Sequence, residues 1–242
     1  MPKAKVITLT PTAADPDGLS TTETLLATRL DSLINGAYAI DFDRNGICLA
    51  QTTGASAALV LNGAQSIDFT ARKGAFIQIF AGSDNTGITF AVVGTDRNGK
   101  RITETITGPD AGLTVLGAVR FYSITSITSS AAVTDNCEVG TNGYAVFSTP
   151  QHMTSTHAGD DSGETVTFIG EDRYGRELSE TITGGSGALV TTSGNFARVD
   201  RITASGAGAD AVTVGSNALC ESKWYVLNYR GHPFTIGLGL DV

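Results

Sequence analysis

Apolar and polar residues alternate along much of this chain with a period of two. In one segment Ile88, Phe90 and Val92 alternate with small or polar residues, and Ile102 and Ile106 resume the alternation after a polar turn. Runs of β-branched residues on both sides of an Asn-Gly pair predict an antiparallel hairpin. The glycine supplies the positive φ that a tight turn needs.

The hairpin segment occurs twice. Residues 92–108 (VVGTDRNGKRITETITG) return as residues 168–184 (FIGEDRYGRELSETITG), a shift of 76 residues. A period this long with this much identity indicates one structural unit used twice. The identical residues of the first copy are Gly94, Asp96, Arg97, Gly99, Glu104, Thr105, Ile106, Thr107 and Gly108.

Two glutamates interrupt the apolar face of the predicted hairpins. Glu104 lies between Ile102 and Ile106 on the same predicted face of the strand, and Glu180 occupies this position in the second copy. A buried carboxylate without a partner is costly. One interpretation is a bulge or edge position, where the glutamate meets an arginine of the turn or reaches solvent. The other is that Glu104 and Glu180 serve an interface between subunits.

The turn itself raises a metal-binding alternative. Asp96, Asn98 and Glu104 resemble calcium ligands, but the EF-hand loop spaces its ligands differently relative to its glycine. The pattern therefore favours a hairpin turn, and we expect no metal ion.

The repeat divides the chain into four predicted parts. Residues 1–61 form an N-terminal arm or partial β unit, residues 62–140 the first repeat and residues 141–215 the second. Residues 216–242 supply strands that complete a unit or dock on a neighbour. The predicted fold class is all-β, with tandem β-sandwich-like units of antiparallel strands.

Both ends of the chain carry further patterns. Ser20-x-x-Glu23 resembles a capping box and predicts a short helix, with a strand or an extended arm as the alternative. Asp43-Arg44-Asn45-Gly46 echoes the hairpin turn, either as part of a shortened half-repeat or by chance. The C-terminal segment is apolar and predicts strands that need a partner. Its candidate interface residues are Trp224, Tyr225, Phe234, Leu238 and Leu240.

Charge and composition exclude several partners. The formal net charge of −8 over 242 residues, without a basic run, disfavours nucleic acid. No apolar run approaches the ~18 residues of a membrane span, and no secretory signal is expected. Cys48, Cys137 and Cys220 form no metal-binding motif and favour a reducing compartment.

The sequence offers little catalytic chemistry. His152 and His157 lie near Asp160 and Asp161, which suggests a metal cluster, but the first repeat has no equivalent residues. Nucleophile-elbow, phosphate-loop and zinc-protease motifs are absent from the sequence. We therefore expect a protein that is not an enzyme and has no catalytic residues, cofactor or metal.

The order of the motifs resembles that of tailed-bacteriophage virion structural proteins, in particular all-β capsid decoration or cement proteins with tandem repeats. No single motif is specific. The motifs are 18–22 (GLSTT), 46–52 (GICLAQT), 61–64 (LNGA), 87–90 (GITF), 94–109, Phe121 with 126–128 (SIT), Val139-Gly140, and Trp224 with Pro233-Phe234.

The resemblance implies a non-enzymatic homo-oligomer that binds the major capsid protein or other virion proteins, without nucleic acid or membrane. The expected location is the capsid exterior, after assembly in the host cytoplasm. A tail, neck or adaptor protein is the alternative, and a carbohydrate- or receptor-binding fibre module is a further one.

Overall fold

The computed structural model describes the chain in six segments and is almost entirely β. The described residues are 15–24, 31–32, 40–206, 211–217, 226–229 and 232–235. Within them, the helical structure is one 3-10 turn, Thr70–Arg72. The sheets are antiparallel throughout the named strand pairs, which confirms the predicted all-β class.

The strands are short and follow one another closely. In chain order they are β1 (Asp15–Thr24), β2 (Asp31–Ser32), β3 (Asp43–Thr53), β4 (Ala75–Ala81), β5 (Thr89–Thr95), β6 (Arg101–Thr107), β7 (Thr114–Phe121), β8 (Ser123–Ser129), β9 (Val133–Thr141), β10 (Ala145–His157), β11 (Thr165–Glu171), β12 (Glu177–Thr183), β13 (Leu189–Ala204), β14 (Ala211–Asn217), β15 (Val226–Tyr229) and β16 (His232–Thr235).

Strands β3 to β9 form the first unit, called repeat 1 below. They make a four-stranded sheet in the order β3-β9-β4-β7 and a three-stranded sheet in the order β6-β5-β8. Strands β7 and β8 follow each other directly, so one nearly continuous segment belongs to both sheets. The apolar residues between the sheets form one buried cluster that includes Phe69, Phe90 and Phe121.

Repeat 2 has the same strand order in a single sheet. Its order is β1-β14-β10-β13-β11-β12, and β2 pairs with β13. The 16-residue strand β13 pairs with β10 through its first part and with β11 through its last. Strand β13 therefore occupies the positions that β7 and β8 occupy in repeat 1. A second buried cluster, with Phe168, Phe196 and Met153, forms the core of this unit.

Each repeat includes strands from the N-terminal residues. Strand β3 pairs with β9 of repeat 1, whereas β1 pairs with β14 and β2 with β13 of repeat 2. The predicted helix after Ser20 is wrong for residues 20–24, which lie in β1.

Residues 43–46, which echo the hairpin turn, begin β3; Asp43 pairs with Thr141, the register shifts before Cys48, and Asn45 N donates to Asp43 Oδ1. The predicted half-repeat stays a prediction. The bounds of the four predicted parts stay predictions.

Candidate functional site: the seam between the repeats

Both predicted hairpins are confirmed. Strand β5 pairs with β6 and β11 with β12 in continuous register. In the first turn Asp96 Oδ1 accepts the N–H groups of Asn98 and Lys100 at 2.8 and 2.9 Å. These bonds to Lys100 and Asn98 lower the pKa of Asp96. Asp172 accepts the corresponding N–H groups of the second turn.

The glycines of the two turns adopt the same backbone conformation. Gly99 has φ +75° and Gly175 has φ +73°, in the left-handed region that favours glycine. The Asp96 carboxylate is part of the turn because it accepts the N–H groups of Asn98 and Lys100. Among the described residues, no group of three or more His, Cys, Asp or Glu side chains could hold a metal ion.

Another identical glycine marks a close approach of two strands. A Cβ on Gly94 would lie 1.9 Å from the carbonyl oxygen of Ser123, and one on Gly170 would lie 1.9 Å from that of Arg198. The strand register shifts at both places. The identity of this residue in the two repeats thus has a steric cause.

Glu104 and Glu180 fasten a bulge in the strand opposite them. Glu104 Oε1 accepts the N–H groups of Ala118 and Val119. Glu180 accepts those of Ser193 and Gly194 at 2.6 and 2.7 Å. Both pairs of donors lie where the register of β7 or β13 is interrupted.

The two carboxylates thus satisfy N–H groups that the ladder leaves without a partner. This assigns Glu104 and Glu180 a role inside their own repeats. Their predicted role in an interface stays a prediction.

The repeats meet at a buried ion cluster, called the seam below. Asp200 of repeat 2 is 4% exposed. Its Oδ2 accepts from Arg120 Nη2 of repeat 1 at 2.9 Å, and its Oδ1 accepts from Arg198 Nε at 2.5 Å. Removing one partner from such a buried group leaves uncompensated charge. The geometry therefore resists separation or rotation of the repeats.

Further polar bonds extend the seam along the connection at 142–144. Asn142 Nδ2 donates to the Asp200 carbonyl oxygen at 2.7 Å, and Arg198 Nη2 donates to that of Arg72 at 2.7 Å. The guanidinium carbons of Arg72 and Arg198 lie 4.9 and 4.1 Å from the centre of the Tyr144 ring. Contacts of this kind stabilise a cation against an aromatic face.

The two hairpin turns converge on a polar cleft beside the seam. The cleft has a volume of about 380 Å³ and is lined by residues of both turns, together with Arg120 and Tyr122. Lys73 Nζ binds Glu171 Oε2 at 2.7 Å and links the repeats a second time. The two copies of the repeated hairpin turn therefore line the same cleft.

The second turn carries an exposed aromatic residue. Tyr174 is 67% exposed, the largest value among the exposed large apolar side chains of the described residues. The guanidinium carbons of Arg173 and Arg176 lie 4.8 and 5.0 Å from its ring centre. Tyrosine and arginine are the side chains most enriched at energetically important interface positions.

A serine, a histidine and an aspartate form a hydrogen-bonded relay in repeat 2. Ser155 Oγ lies 2.9 Å from His157 Nε2, and His157 Nδ1 lies 2.9 Å from Asp161 Oδ2. This connectivity matches that of a catalytic triad. All three residues are at most 2% exposed. A substrate carbonyl group has no access to Ser155 in this conformation, so the relay fastens the loop after β10 to the sheet.

The residues of the proposed histidine metal cluster are directed to other partners. His152 Nδ1 lies 2.8 Å from the Thr192 carbonyl oxygen. His157 belongs to the relay, and Asp160 accepts the N–H of Ser162. The sequence drew attention to these histidines but not to Ser155. Ser155 could have been found from its i, i+2 spacing to His157, which places both side chains on one face of a strand.

Two cysteines are buried side by side in repeat 1. Burial raises the pKa of Cys48 to about 12, with a further contribution from Cys137. Burial also raises the pKa of Cys137 to about 12, and Glu138 adds to this. Both thiols are free. A protonated, buried thiol is a poor nucleophile, so these residues act as core side chains.

Most of the predicted C-terminal interface lies outside the described residues. This applies to Trp224, Tyr225, Leu238 and Leu240. Phe234 lies in β16, opposite Leu227 of β15. The sequence predicted strands here, and two are present, but the contact of this segment with a neighbour stays a prediction.

Within the described ranges, no helix is long and apolar enough to cross a membrane. Comparison of the chain with protein-family models, with curated proteins and with solved structures found no match.

Proposed function

We propose that this chain is a multi-copy structural protein of a tailed-bacteriophage virion. It decorates the outside of the capsid as a homo-oligomer, contacts the major capsid protein or other virion proteins, and reinforces the shell. The motif order of the sequence suggests this class of protein. The structural observation that supports it best is the seam.

A reinforcing protein has to keep a fixed distance between the shell subunits that it connects. Two β units joined by a flexible linker would bend under load. Here the Asp200 carboxylate binds Arg120 of one repeat and Arg198 of the other in a buried setting. A second ion pair, between Lys73 and Glu171, lies nearby. These contacts favour one relative orientation of the repeats.

Charge supports the outer face of the shell over the inner one. A chain with a formal net charge of −8 is repelled by packaged DNA. A ligand that binds only the intact shell stabilises that state by mass action. The benefit should therefore appear when filled particles are heated.

The test compares particles with and without the protein. Particles that lack it should rupture at a lower temperature, and added protein should restore the difference. The Asp200→Asn variant, whose seam loses a buried charge, should restore less than Asp160→Asn, the same change at an exposed residue of repeat 2. An unchanged rupture temperature, or a few copies confined to the tail vertex, would contradict the cement function and favour a tail, neck or adaptor protein.

A further inference from the structure

Basic and acidic side chains are segregated in this molecule. Residues 40–206 contain eleven Lys and Arg residues, and ten of them lie at the seam or at the two hairpin turns. Arg44 is the exception. We call this region the basic waist. Its cations are Arg72, Lys73, Arg97, Lys100, Arg101, Arg120, Arg173, Arg176, Arg198 and Arg201.

The waist is basic even after its own carboxylates are counted. It contains seven acidic residues, among them Asp41, whose charge acts on Arg72, and Asp68, which pairs with Ser123 beside the cleft; the other ten of residues 40–206 lie elsewhere in the repeats. Six of its cations are exposed, whereas three of its acids are, namely Asp41, Asp68 and Glu177. A protein with a negative total charge thus presents a positive band around the cleft, with exposed Tyr174 at its edge.

The opposite end of repeat 1 is acidic. Asp84, Asp110 and Asp135 are exposed there. Their loops are joined by hydrogen bonds from Asn85 N to the Pro109 carbonyl oxygen and from Gly82 N to that of Asn136, at 2.9 and 2.8 Å. We call these three aspartates the acidic pole. The hairpin strands between pole and turn have seven residues, so the two ends are about 20 Å apart.

Among the residues that the structure describes, the corresponding end of repeat 2 is less acidic at its surface. Asp160, equivalent to Asp84 in the repeat, is exposed, but Asp161 is buried against His157. Glu164 is half-buried and accepts the hydroxyl of Ser205 at 2.6 Å. The acidic pole of repeat 1 is therefore the better complement to a positive surface.

We propose that the basic waist of one protomer binds the acidic pole of a second copy of this chain. Charge complementarity orients the encounter. Tyr174, held between two arginines, supplies a rigid aromatic contact of the kind that dominates binding energy. The contact is heterologous, because each protomer offers one pole and one waist, so it can close a ring or continue a chain.

This inference concerns the contact between copies in solution and does not depend on the proposed place in a virion. The test measures self-association by sedimentation equilibrium at low and high salt. The dissociation constant should rise at least tenfold when salt is raised from about 20 mM to about 500 mM, because the charges are exposed and screened. A chain that stays monomeric at low salt overturns the proposal, whatever else the waist binds.

Charge reversal identifies the two surfaces. Arg97→Glu at the waist and Asp84→Lys at the pole should each weaken self-association at least tenfold. Mixing the two single variants should restore a contact, since the reversed pole meets the reversed waist. Asp160→Lys is the matched control, because Asp160 and Asp84 each accept the N–H of the residue two positions later. It should leave association unchanged.

Thermal unfolding of each variant checks that the repeats remain folded. Equal weakening by Asp160→Lys and Asp84→Lys would overturn the assignment of the pole, and a mixture without restored association would overturn the pairing of pole with waist.

Discussion

Repeat 1 and repeat 2 have the same strand order, but their cores differ in chemistry. Ile79, Ala81 and Asn85 of repeat 1 are equivalent to Ser155, His157 and Asp161 of repeat 2, at the same shift of 76 residues. Ile79 belongs to the apolar cluster of repeat 1 and Ala81 is fully buried, whereas the second set forms a hydrogen-bonded relay. The same arrangement of strands therefore accepts either apolar side chains or a hydrogen-bonded relay at equivalent buried positions.

The residues that are identical in the two repeats lie where the backbone restricts the side chain. Gly94 and Gly170 permit close approach of two strands, Gly99 and Gly175 permit the turns, and Glu104 with its counterpart satisfies a bulge. Each has a backbone requirement that no other side chain meets well. The surface of the turns is under no such requirement, and there Asn98 is replaced by the exposed Tyr174.

The largest expected effect comes from the seam, which joins the two repeats. Asp200→Ala removes the carboxylate between Arg120 and Arg198, and should lower the free energy of unfolding by about 3–5 kcal/mol because buried charge is left uncompensated. Calorimetry should then show the repeats unfolding less cooperatively. Lys73→Met removes an exposed ion pair and should cost at most about 1 kcal/mol. Similar losses for both variants would contradict the importance of the buried cluster.

The glycines at the close strand approach should be next in effect. Gly94→Ala and Gly170→Ala each force a Cβ against a carbonyl oxygen and should destabilise by about 1–3 kcal/mol or more. Chemical denaturation measures this. Gly87→Ala and Gly163→Ala are equivalent to each other in the two repeats and have no atom within 4 Å of the added Cβ. A comparable loss in these controls would show that the cost is not steric.

The relay tests whether the two cores are interchangeable. His157→Ala leaves Ser155 and Asp161 without the imidazole, and should destabilise the protein by about 1–3 kcal/mol. The triple variant Ser155→Ile, His157→Ala, Asp161→Asn copies repeat 1 and should cost less than the single change, since both partners are replaced together. Thermal unfolding decides between them. A triple variant that is less stable than His157→Ala would show that the relay is specific to repeat 2.

The two glutamates should contribute equally if their roles are equivalent. Glu104→Gln and Glu180→Gln weaken charge-assisted bonds to two N–H groups, and each should cost about 1–2 kcal/mol. Glu177→Gln is the control, an exposed residue of β12 at which almost no effect is expected. Unequal losses at Glu104 and Glu180, measured by denaturation, would show that the bulges differ in stability.

The smallest effect is a difference in thiol reactivity. With Cys220 replaced by serine, Cys48 and Cys137 report opening of repeat 1, because no cysteine occurs in residues 142–217. At pH 8 the folded protein should react slowly with a thiol reagent, and fast after denaturation. The raised pKa of about 12 for Cys48 favours the folded state most below pH 9, and this contribution is lost as the pH rises towards 12. Rapid reaction of the folded protein at pH 8 would contradict burial.

The hairpins and the all-β class could be predicted from the sequence, because alternation and turn glycines are local properties of the backbone. The sequence also located the repeat. It predicted a helix after Ser20, where a capping pattern is outweighed by pairing of β1 with β14, a contact between residues almost 200 positions apart. Local propensity carries no information about such a partner.

The contacts of the repeated residues depend on the packing of the whole fold. Glu104 is an anomaly in the sequence, and its partners at Ala118 and Val119 become evident from the bulge. Arg120 is 80 residues from Asp200 along the chain, and packing of the two units joins it to the Arg198–Asp200 pair in one buried cluster. The segregation of charge likewise arises when both hairpin turns meet at the seam, because linear order does not fix which ends of the two units face each other.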